Sequence, residues 1–267
     1  GENLMRIDLT GKIIFITGAG GRLGITYIDQ LTKFGAVVIG TELPGQRFDN
    51  LLELYAANRN VHLYELDVCD ELQVEDVFKR MLEDGLLANV FINNAAVTGE
   101  LLMGEGKIFP DLANTSLLDW SSTVDVNLTG AFLIARQIDR DIAGRYPASL
   151  INISTMYALN GPHHNIYEGM PFKSFSAYSA SKAGLHGLTL WLAGYWAKQG
   201  INVNTLAPGA VNNNHSETFK SKVSELIMKG TMAEPEQISD VIAFLCSDLP
   251  SYMTAQIINV DGGFSGW

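Results

Sequence analysis

The stretch from residue 17 to residue 24 reads Thr17-Gly18-Ala19-Gly20-Gly21-Arg22-Leu23-Gly24. It follows the apolar run Ile13–Thr17 and precedes an amphipathic stretch that continues to Phe34. Glycines at a strand-to-helix turn let backbone N–H groups approach phosphates, and the N-terminus of the next helix adds unpaired donors and a favourable dipole. The context therefore predicts a strand, a phosphate-binding turn and a helix, which together open a dinucleotide-binding fold.

Short apolar runs recur along the chain, separated by stretches long enough for helices. The runs are Ile13–Thr17, Val37–Thr41, Val61–Leu66, Val90–Ile92, Leu150–Ile153, Val203–Leu206 and Ile257–Val260. Nearly continuous apolar runs are typical of parallel strands that are buried on both faces. We therefore expect one α/β domain over residues 1–267, a Rossmann fold built on a doubly wound, seven-stranded parallel sheet. Its ligand should lie along the edge where the strands end.

Composition excludes several classes of protein. The chain has 18 Lys and Arg against 29 Asp and Glu, a net charge of −11, and no basic run, so we expect no nucleic-acid partner. Its two cysteines, Cys69 and Cys246, lack the spacing of a zinc site or a disulfide framework. No apolar run reaches the roughly 18 residues of a membrane span, and the first residues lack a signal pattern. We expect a cytoplasmic protein that binds a small molecule and no metal or membrane.

The ends of the next three apolar runs suggest which dinucleotide binds. Glu42 follows the second run and stands 18 residues after Gly24. Its carboxylate can accept hydrogen bonds from ribose hydroxyls and would repel a 2′-phosphate, which favours NAD over NADP. Arg22 competes with this interpretation, because a guanidinium can bind a phosphate. Asp67 and Val68 suit the adenine edge, and the segment Asn93-Asn94-Ala95-Ala96 suits the ribose side.

Tyr178 and Lys182 are four residues apart, which places them on one face of a helix. Hydride transfer at a carbonyl carbon requires a proton to move on the oxygen, and a tyrosine phenol has the reach to carry it. The ordinary pKa of tyrosine, about 10, makes it a poor base at neutral pH. We therefore expect the Lys182 ammonium to lower the pKa of Tyr178. Ser154 or Thr155, at the end of the fifth run, can supply a hydroxyl for the substrate oxygen.

Taken in order, these motifs resemble the short-chain dehydrogenase/reductase family over nearly the whole chain. The matching segments are Asp8-Leu9-Thr10-Gly11-Lys12, the glycine turn, Asp67-Val68, Asn93-Asn94-Ala95, Asn127-Leu128-Thr129-Gly130, the Tyr178/Lys182 pair, Pro208-Gly209 and Asp261-Gly262-Gly263. The resemblance implies a catalytic set of Asn127, Thr155, Tyr178 and Lys182. In that set Tyr178 is the acid/base, Lys182 lowers its pKa and holds the nicotinamide ribose, and Asn127 anchors a water. The resemblance also implies a homotetramer or homodimer.

The resemblance also implies a set of residues that contact the dinucleotide. Val211 is expected to donate its backbone N–H to the nicotinamide carboxamide. The full predicted set is Gly18, Gly20, Gly21, Arg22, Leu23, Gly24, Glu42, Asp67, Val68, Asn94, Ala95, Ala96, Tyr178, Lys182, Pro208, Gly209 and Val211.

The chain departs from the family pattern at four places. Arg22 replaces the middle glycine of the turn, Ala96 stands where glycine is usual, and the family serine aligns with Thr155, with Ser154 as the alternative. Thr155 and Tyr178 are 23 residues apart, a longer interval than usual, and the extra residues are 162–171. We expect substrate loops at about residues 98–116, 160–176 and 210–230. The predicted substrate-binding residues are Thr155, His163, Tyr167 and Tyr178, although the inserted segment also reads as a solvated loop.

These observations predict an oxidoreductase that moves a hydride between NAD(H) and an alcohol or ketone carbon of a small polar substrate. The insertion and the stretch around Asn127 are similar to bacterial oxidoreductases of flagellin modification and legionaminic-type sugar synthesis, which implies a sugar-derived substrate. Two alternatives are a cofactor-retaining sugar epimerase or dehydratase, and a non-catalytic redox sensor. Phe264 and Trp267 are apolar, and we expect both in a subunit contact.

Overall fold

The computed structural model describes residues 7–98, 110–170, 172–213 and 215–267. Within them, seven parallel strands form one sheet in the order β3-β2-β1-β4-β5-β6-β7. The strands are β1 (Ile13–Thr17), β2 (Val37–Glu42), β3 (Val61–Glu65), β4 (Val90–Asn93), β5 (Ala148–Ile153), β6 (Ile201–Pro208) and β7 (Ile257–Val260). In the central register, Ile14 pairs with Val38 on one side and with Val90 on the other. The predicted Rossmann fold is confirmed.

Helices cover both faces of this sheet. In the described residues they are α1 (Arg22–Lys33), α2 (Gln46–Leu54), α3 (Glu71–Glu83), α4 (Leu117–Val124), α5 (Gly130–Asp141), α6 (Ser176–Trp196), α7 (Glu217–Ser224) and α8 (Pro235–Cys246). The local sequence explains where several of these helices begin. The Asp70 side chain accepts from the first N–H groups of α3, and Ser116 does the same for α4. Between α4 and α5 the helix widens into a π-helical turn, Asp125–Thr129.

Two hydrophobic cores lie on opposite sides of the sheet, because successive strand residues point to opposite faces. Phe15 of β1 packs with Phe78 of α3 and Phe91 of β4 on one face. Its neighbours Ile14 and Ile16 pack on the other face, beneath α1 and α8. Strands buried on both faces account for the apolar runs that are visible in the sequence.

A third, smaller core forms beyond the carboxyl edge of the sheet, and we call it the aromatic cluster. Its buried members are Met156, Ile166, Tyr167, Phe219, Val223, Ile227 and Phe264. It joins the segment after β5, including the 3-10 turn His164–Tyr167, to α7 and to the turn Phe264–Gly266. The inserted segment is therefore anchored by buried side chains.

The structure corrects one expectation about the C-terminal part. Phe264 is buried against its own chain in the aromatic cluster, so it is not free for a subunit contact, whereas Trp267 is 81% exposed. Within the predicted loop at about residues 210–230, α7 ends at Ser224, and the chain then turns and buries Ile227 in the aromatic cluster. Of the predicted loop at residues 98–116, residues 99–109 lie outside the described part.

None of the helices in the described residues is both long enough and apolar enough to pass through a bilayer. The same residues contain no group of three His, Cys, Asp or Glu side chains arranged to hold a metal ion.

Candidate active site

The glycine turn after β1 has the shape of a phosphate cradle. Gly18 adopts φ 65°, and a Cβ there would lie 2.7 Å from the Ala95 Cα. A Cβ on Gly24 would lie 2.6 Å from the Gly18 carbonyl oxygen. No side chain caps α1 at Gly21, so the first N–H groups of this helix remain available to an anion. These residues fit the pyrophosphate of a dinucleotide.

Hydrogen bonds fix the turn to the end of β4. The Asn94 amide donates to the carbonyl oxygens of Thr17 and Gly18, at 3.1 and 3.0 Å. The Thr17 hydroxyl oxygen accepts in return from the backbone N–H groups of Asn94 and Ala95. The predicted residues Asn94 and Ala95 therefore contact the turn directly.

Glu42 lies beside the same turn, at the end of β2. Its Oε2 accepts from the Gly20 N–H at 2.9 Å, and its Oε1 accepts from the Leu43 N–H at 3.0 Å. The side chain is buried, and both contacts hold the carboxylate at the turn. Arg22 points elsewhere, since its Nη1 donates to the Asn213 Oδ1 at 2.6 Å.

Most other predicted cofactor residues lie along the same edge of the sheet, and each of them makes contacts of its own. Asp67 accepts from the Cys69 N–H, and Val68 packs so closely on α5 that a Cβ on Gly130 would lie 2.7 Å from its Cγ2. Gly209 follows β6 and lies against Asp261, where a Cβ would be 2.6 Å from the Cα. The remaining members are part of the turn or of the ends of β4 and β6: Leu23, Ala96, Pro208 and Val211.

Thr155 and Tyr178 meet where β5 ends and α6 begins. The Thr155 side chain lies within reach of the Tyr178 phenol and acts on its pKa as a hydrogen-bond partner. Thr155 is fixed because its hydroxyl also accepts from the Tyr157 N–H, at 3.4 Å, at the start of the 3-10 turn Met156–Ala158. Two hydroxyls in contact at the sheet edge form a place where one substrate oxygen can be held and protonated.

The expected lowering of the Tyr178 pKa does not occur in this arrangement. The residue keeps part of its surface open, but its phenol is desolvated, and this desolvation raises its pKa above the ordinary value. The Thr155 hydrogen bond opposes the increase, and the nearby Tyr157 adds to it. Lys182 contributes no lowering, which corrects the sequence-based expectation.

The position of Lys182 explains this result. The side chain is 2% exposed, and its Nζ donates to the Ile153 carbonyl oxygen at 2.7 Å. Burial without a carboxylate partner among the described residues lowers the pKa of Lys182 from 10.5 to about 7. Its positive charge is therefore only partly present at neutral pH.

Ser154 and Thr155 are neighbours with different surroundings. The Ser154 hydroxyl donates to the Lys182 carbonyl oxygen at 3.0 Å and lies 2.8 Å from the His186 Nε2. Because the Ser154 proton is given to the Lys182 carbonyl oxygen, the His186 Nε2 is the donor to the Ser154 oxygen. Burial lowers the pKa of His186. Ser154 thus ties β5 to α6, whereas Thr155 contacts Tyr178.

Asn127 occupies the π-helical turn and is 1% exposed. Its Oδ1 accepts from the Val97 N–H at 2.7 Å, and its Nδ2 donates to the Val97 carbonyl oxygen and to the Ser181 hydroxyl. It therefore links the chain after β4 to α6, one residue from Lys182. A widened helical turn at such a position is frequent at functional sites.

The two predicted substrate residues of the insertion differ in position. His163 is exposed, and its ring meets the Phe264 ring at 5.8 Å and 90°. Tyr167 is buried, and its hydroxyl donates to the Tyr157 hydroxyl at 2.9 Å. Sequence reasoning missed Tyr157 and His186. Their only signals were the position of Tyr157 two residues after Thr155 and the helical spacing of His186 from Lys182.

Comparisons with known proteins agree with this geometry. A family model described as Enoyl-(Acyl carrier protein) reductase matches residues 22–265. The 3-oxoacyl-(acyl-carrier-protein) reductase FabG of Aquifex aeolicus is 32% identical over 267 residues, covering 97% of this chain and 99% of its own. Galactitol 2-dehydrogenase of Rhizobium johnstonii is 27% identical, covering 98% of both chains. A crystal structure of a short-chain dehydrogenase from Leptospira borgpetersenii, with bound NAD+, superposes with a TM-score of 0.81 at 24% identity, covering 95% and 92%.

The comparisons support the broad prediction of an oxidoreductase and not the narrower predictions. The named relatives are dehydrogenases and reductases, and they do not favour an epimerase, a dehydratase or a sensor. The narrower similarity to oxidoreductases of flagellin modification is not shown by them. The fold, the ordered motifs and the matched length agree with one another. The chain therefore belongs to the short-chain dehydrogenase/reductase family, and it is an oxidoreductase that acts on CH–OH groups.

Proposed function

We propose that this protein is an NAD-dependent dehydrogenase, or a ketone reductase in the reverse direction, for a small polar substrate such as a sugar derivative. One observation carries the proposal. The Tyr178 phenol and the Thr155 hydroxyl are neighbours at the carboxyl edge of the sheet, with Lys182 one helical turn along α6. The glycine turn and Glu42 lie at the same edge.

The side chains divide the work around the substrate oxygen. A bound nicotinamide dinucleotide would supply the hydride acceptor for the carbinol carbon in oxidation, or the hydride donor for the carbonyl carbon in reduction. Thr155 holds the substrate oxygen, and Tyr178 takes the hydroxyl proton during oxidation and returns it during reduction. Because desolvation raises the pKa of Tyr178, its phenol keeps its proton at neutral pH and is suited to donate that proton in reduction. We propose that Lys182, one helical turn away, holds the nicotinamide ribose. Asn127 positions α6 through Ser181.

The preference for NAD over NADP rests on Glu42. Two backbone N–H groups hold its carboxylate at the turn, where it would accept from ribose hydroxyls and repel a 2′-phosphate. The competing cation, Arg22, is bonded to Asn213. The Leptospira relative was solved with NAD+, which is in line with this preference. The cofactor-binding residues predicted from the sequence are retained as the proposed set.

A small polar substrate suits the chemistry around Tyr178. We propose that the segments at about 98–116, 160–176 and 210–230 are its loops, and that His163 and Tyr167 of the second one contribute to its binding. Phenol and imidazole groups recognise hydroxylated molecules. A galactitol dehydrogenase among the relatives acts on a polyol, whereas the reductase relative is named for an acyl carrier, so the relatives alone leave the substrate open.

Assembly and location complete the proposal. Large apolar side chains are exposed on α4 and α6, two helices that pack against each other, and they include Leu117, Leu118 and Trp191. We propose that a second copy of the chain covers them, giving a homodimer or a homotetramer. Both cysteines, Cys69 and Cys246, are free thiols, which suits the reducing cytoplasm.

The test is an NADH absorbance assay across polyols, sugars, sugar phosphates and nucleotide sugars. Tyr178→Phe should lose about a hundredfold or more in kcat while it still binds NADH in a fluorescence titration. The exposed phenol of Tyr252 provides a matched control, and Tyr252→Phe should keep full activity.

A second pair of variants decides which hydroxyl is catalytic. Thr155→Val should abolish turnover, and Ser154→Ala should mainly lower stability because it leaves the buried His186 N–H unpaired. Full activity of Tyr178→Phe, or intact kcat in Thr155→Val with loss in Ser154→Ala, would contradict these assignments.

A further inference from the structure

A second phenol, that of Tyr157, borders the proposed site. Tyr157 lies in the 3-10 turn Met156–Ala158, which Thr155 caps. Its backbone N–H donates to the Thr155 hydroxyl at 3.4 Å, which places Tyr157 beside the proposed site. None of the roles proposed above uses this side chain.

The Tyr157 phenol is held in place from two sides. Its oxygen accepts a hydrogen bond from the Tyr167 hydroxyl at 2.9 Å. Its ring packs against the edge of Phe264, with 6.0 Å between the ring centroids and 74° between the planes. Tyr167 is itself buried beside Phe172 and Phe219 in the aromatic cluster. The inserted segment and α7 therefore fix the position of Tyr157.

This arrangement leaves Tyr157 as a hydrogen-bond donor. Because its oxygen accepts from Tyr167, its own proton is available to another acceptor. Among the residues that the structure describes, none accepts that proton. The residue is half-buried, and a donor in partly desolvated surroundings makes a stronger hydrogen bond than one in water.

We infer that Tyr157 determines substrate specificity by donating a hydrogen bond to a second substrate oxygen, near the carbon that reacts. This inference rests on the proposed function, in which Thr155 and Tyr178 both engage the reacting oxygen. The substrate class that follows is an alcohol or ketone with oxygen on a neighbouring carbon: a vicinal diol, a polyol or an α-hydroxy ketone. Tyr167 acts as a positioning residue for this contact.

Matched substrates test the inference. Cyclohexane-1,2-diol and butane-2,3-diol are compared with cyclohexanol and butan-2-ol, which lack the second hydroxyl, in the NADH absorbance assay. The wild type should prefer the diols. Tyr157→Phe should lower kcat/KM for the diols by about tenfold or more and change the values for the mono-alcohols by less than about twofold.

Tyr167→Phe should give a smaller loss on the diols. The double variant should be no worse than Tyr157→Phe alone, because the two phenols act through one contact. Thermal unfolding of each variant separates this effect from loss of fold, and Tyr252→Phe serves as the control for a remote phenol.

Two outcomes would overturn the inference, and they have different meanings. If the wild type oxidises the diols but Tyr157→Phe affects diols and mono-alcohols equally, or neither, the role of Tyr157 is wrong and the proposed function stands. If the wild type oxidises no member of the panel, or Tyr178→Phe remains active, the proposed function fails and the substrate class assigned to Tyr157 fails with it.

Discussion

At the scale of single residues, Glu42 is the side chain on which the proposed preference for NAD depends. Glu42→Gln keeps the shape of the side chain and an oxygen for the Gly20 N–H, but it removes the negative charge. The repulsion of a 2′-phosphate should therefore decrease, and the ratio of kcat/KM with NADPH to that with NADH should rise by about tenfold.

The Glu42 experiment needs a control for a general change in charge. Glu53→Gln neutralises an exposed carboxylate on α2 and should leave the ratio unchanged. A wild-type preference for NADPH, or an unchanged ratio in Glu42→Gln, would show that Glu42 does not select the dinucleotide.

Lys182, which we propose to be part of the active site, also affects stability. Its pKa in the folded chain is about 7, against 10.5 ordinarily, so the unfolded chain binds the proton more tightly. The resulting destabilisation is absent above pH 10.5, grows as the pH falls, and is complete below pH 7. Lys182→Met removes it. The free energy of unfolding of Lys182→Met should therefore exceed that of the wild type by the largest amount near pH 7. This excess should decrease by on the order of 3 kcal/mol between pH 7 and pH 10.

Urea unfolding at several pH values measures this difference. Lys79→Met, at a lysine whose side chain is 72% exposed, is the control for the loss of a lysine elsewhere in the chain. A difference between Lys182→Met and the wild type that stays constant from pH 7 to pH 10 would contradict the lowered pKa. If Lys182→Met loses activity and gains stability at pH 7, the buried lysine lowers the stability of the fold while it is needed for activity.

The sequence was a good guide to single residues where chemistry requires a residue type at a fixed spacing. The glycine turn, Glu42 and the Tyr178/Lys182 pair were all predicted to lie near the sheet edge, and they do. The raised pKa of Tyr178 was not predictable, because desolvation depends on packing that a local pattern does not contain. The same is true of Ser154 with His186 and of Asn127 with Ser181, which join residues 32 and 54 positions apart.

At the scale of elements, the aromatic cluster holds the inserted segment and α7 together. Phe219 is central to it, since its ring contacts the rings of Tyr167, Phe172 and His215. Phe219→Ala should loosen both segments while the two main cores keep the sheet folded. We expect faster amide exchange at residues 156–170 and 217–224, a raised KM for substrate, and an unchanged Kd for NADH.

Hydrogen–deuterium exchange with mass spectrometry gives the local measurement. Phe132→Ala, at a half-exposed ring on α5, is the control and should leave both segments as protected as in the wild type. Equal protection in Phe219→Ala and the wild type would show that the aromatic cluster does not hold the two segments together.

The strands lie close to the apolar runs that predicted them, whereas the irregular elements had no recognisable signal in the sequence. β1 and β7 have the predicted bounds, and β6 extends to Ile201–Pro208. The π-helical turn Asp125–Thr129 was not predicted, because a widened turn leaves no periodic signal in a short window. The end of α7 at Ser224 likewise depends on the burial of Ile227, which is a tertiary contact.

At the scale of the whole molecule, the exposed apolar side chains of α4 and α6 predict self-association. Trp191 is 62% exposed and stacks on Tyr195, and Leu118 is 74% exposed. Trp191→Glu should reduce the mass in light scattering from a dimer or tetramer towards a monomer, because burying an unpaired carboxylate opposes association. Tyr252→Glu, at a fully exposed residue, should leave the mass unchanged. A monomeric wild type would contradict the proposed assembly.

The alternation of apolar runs and amphipathic stretches was sufficient to predict the doubly wound sheet, because each strand must be buried on both faces. It was not sufficient to predict which surfaces remain exposed. Phe264 illustrates the difference: an apolar residue near the end of the sequence reads as an interface residue, but the structure buries it under the inserted segment.

The widened turn at Asp125–Thr129 also bears on how this chain can evolve. Such a turn is equivalent to one extra residue inserted into an α-helix, with weaker backbone hydrogen bonds. Deleting that residue would restore a regular helix, but it would rotate one half against the other by about 100°. Asn127 would then swing away from Val97 and Ser181. A deletion of a single codon at this junction is therefore expected to be selected against, because it would break the hydrogen bonds through which Asn127 joins the chain after β4 to α6.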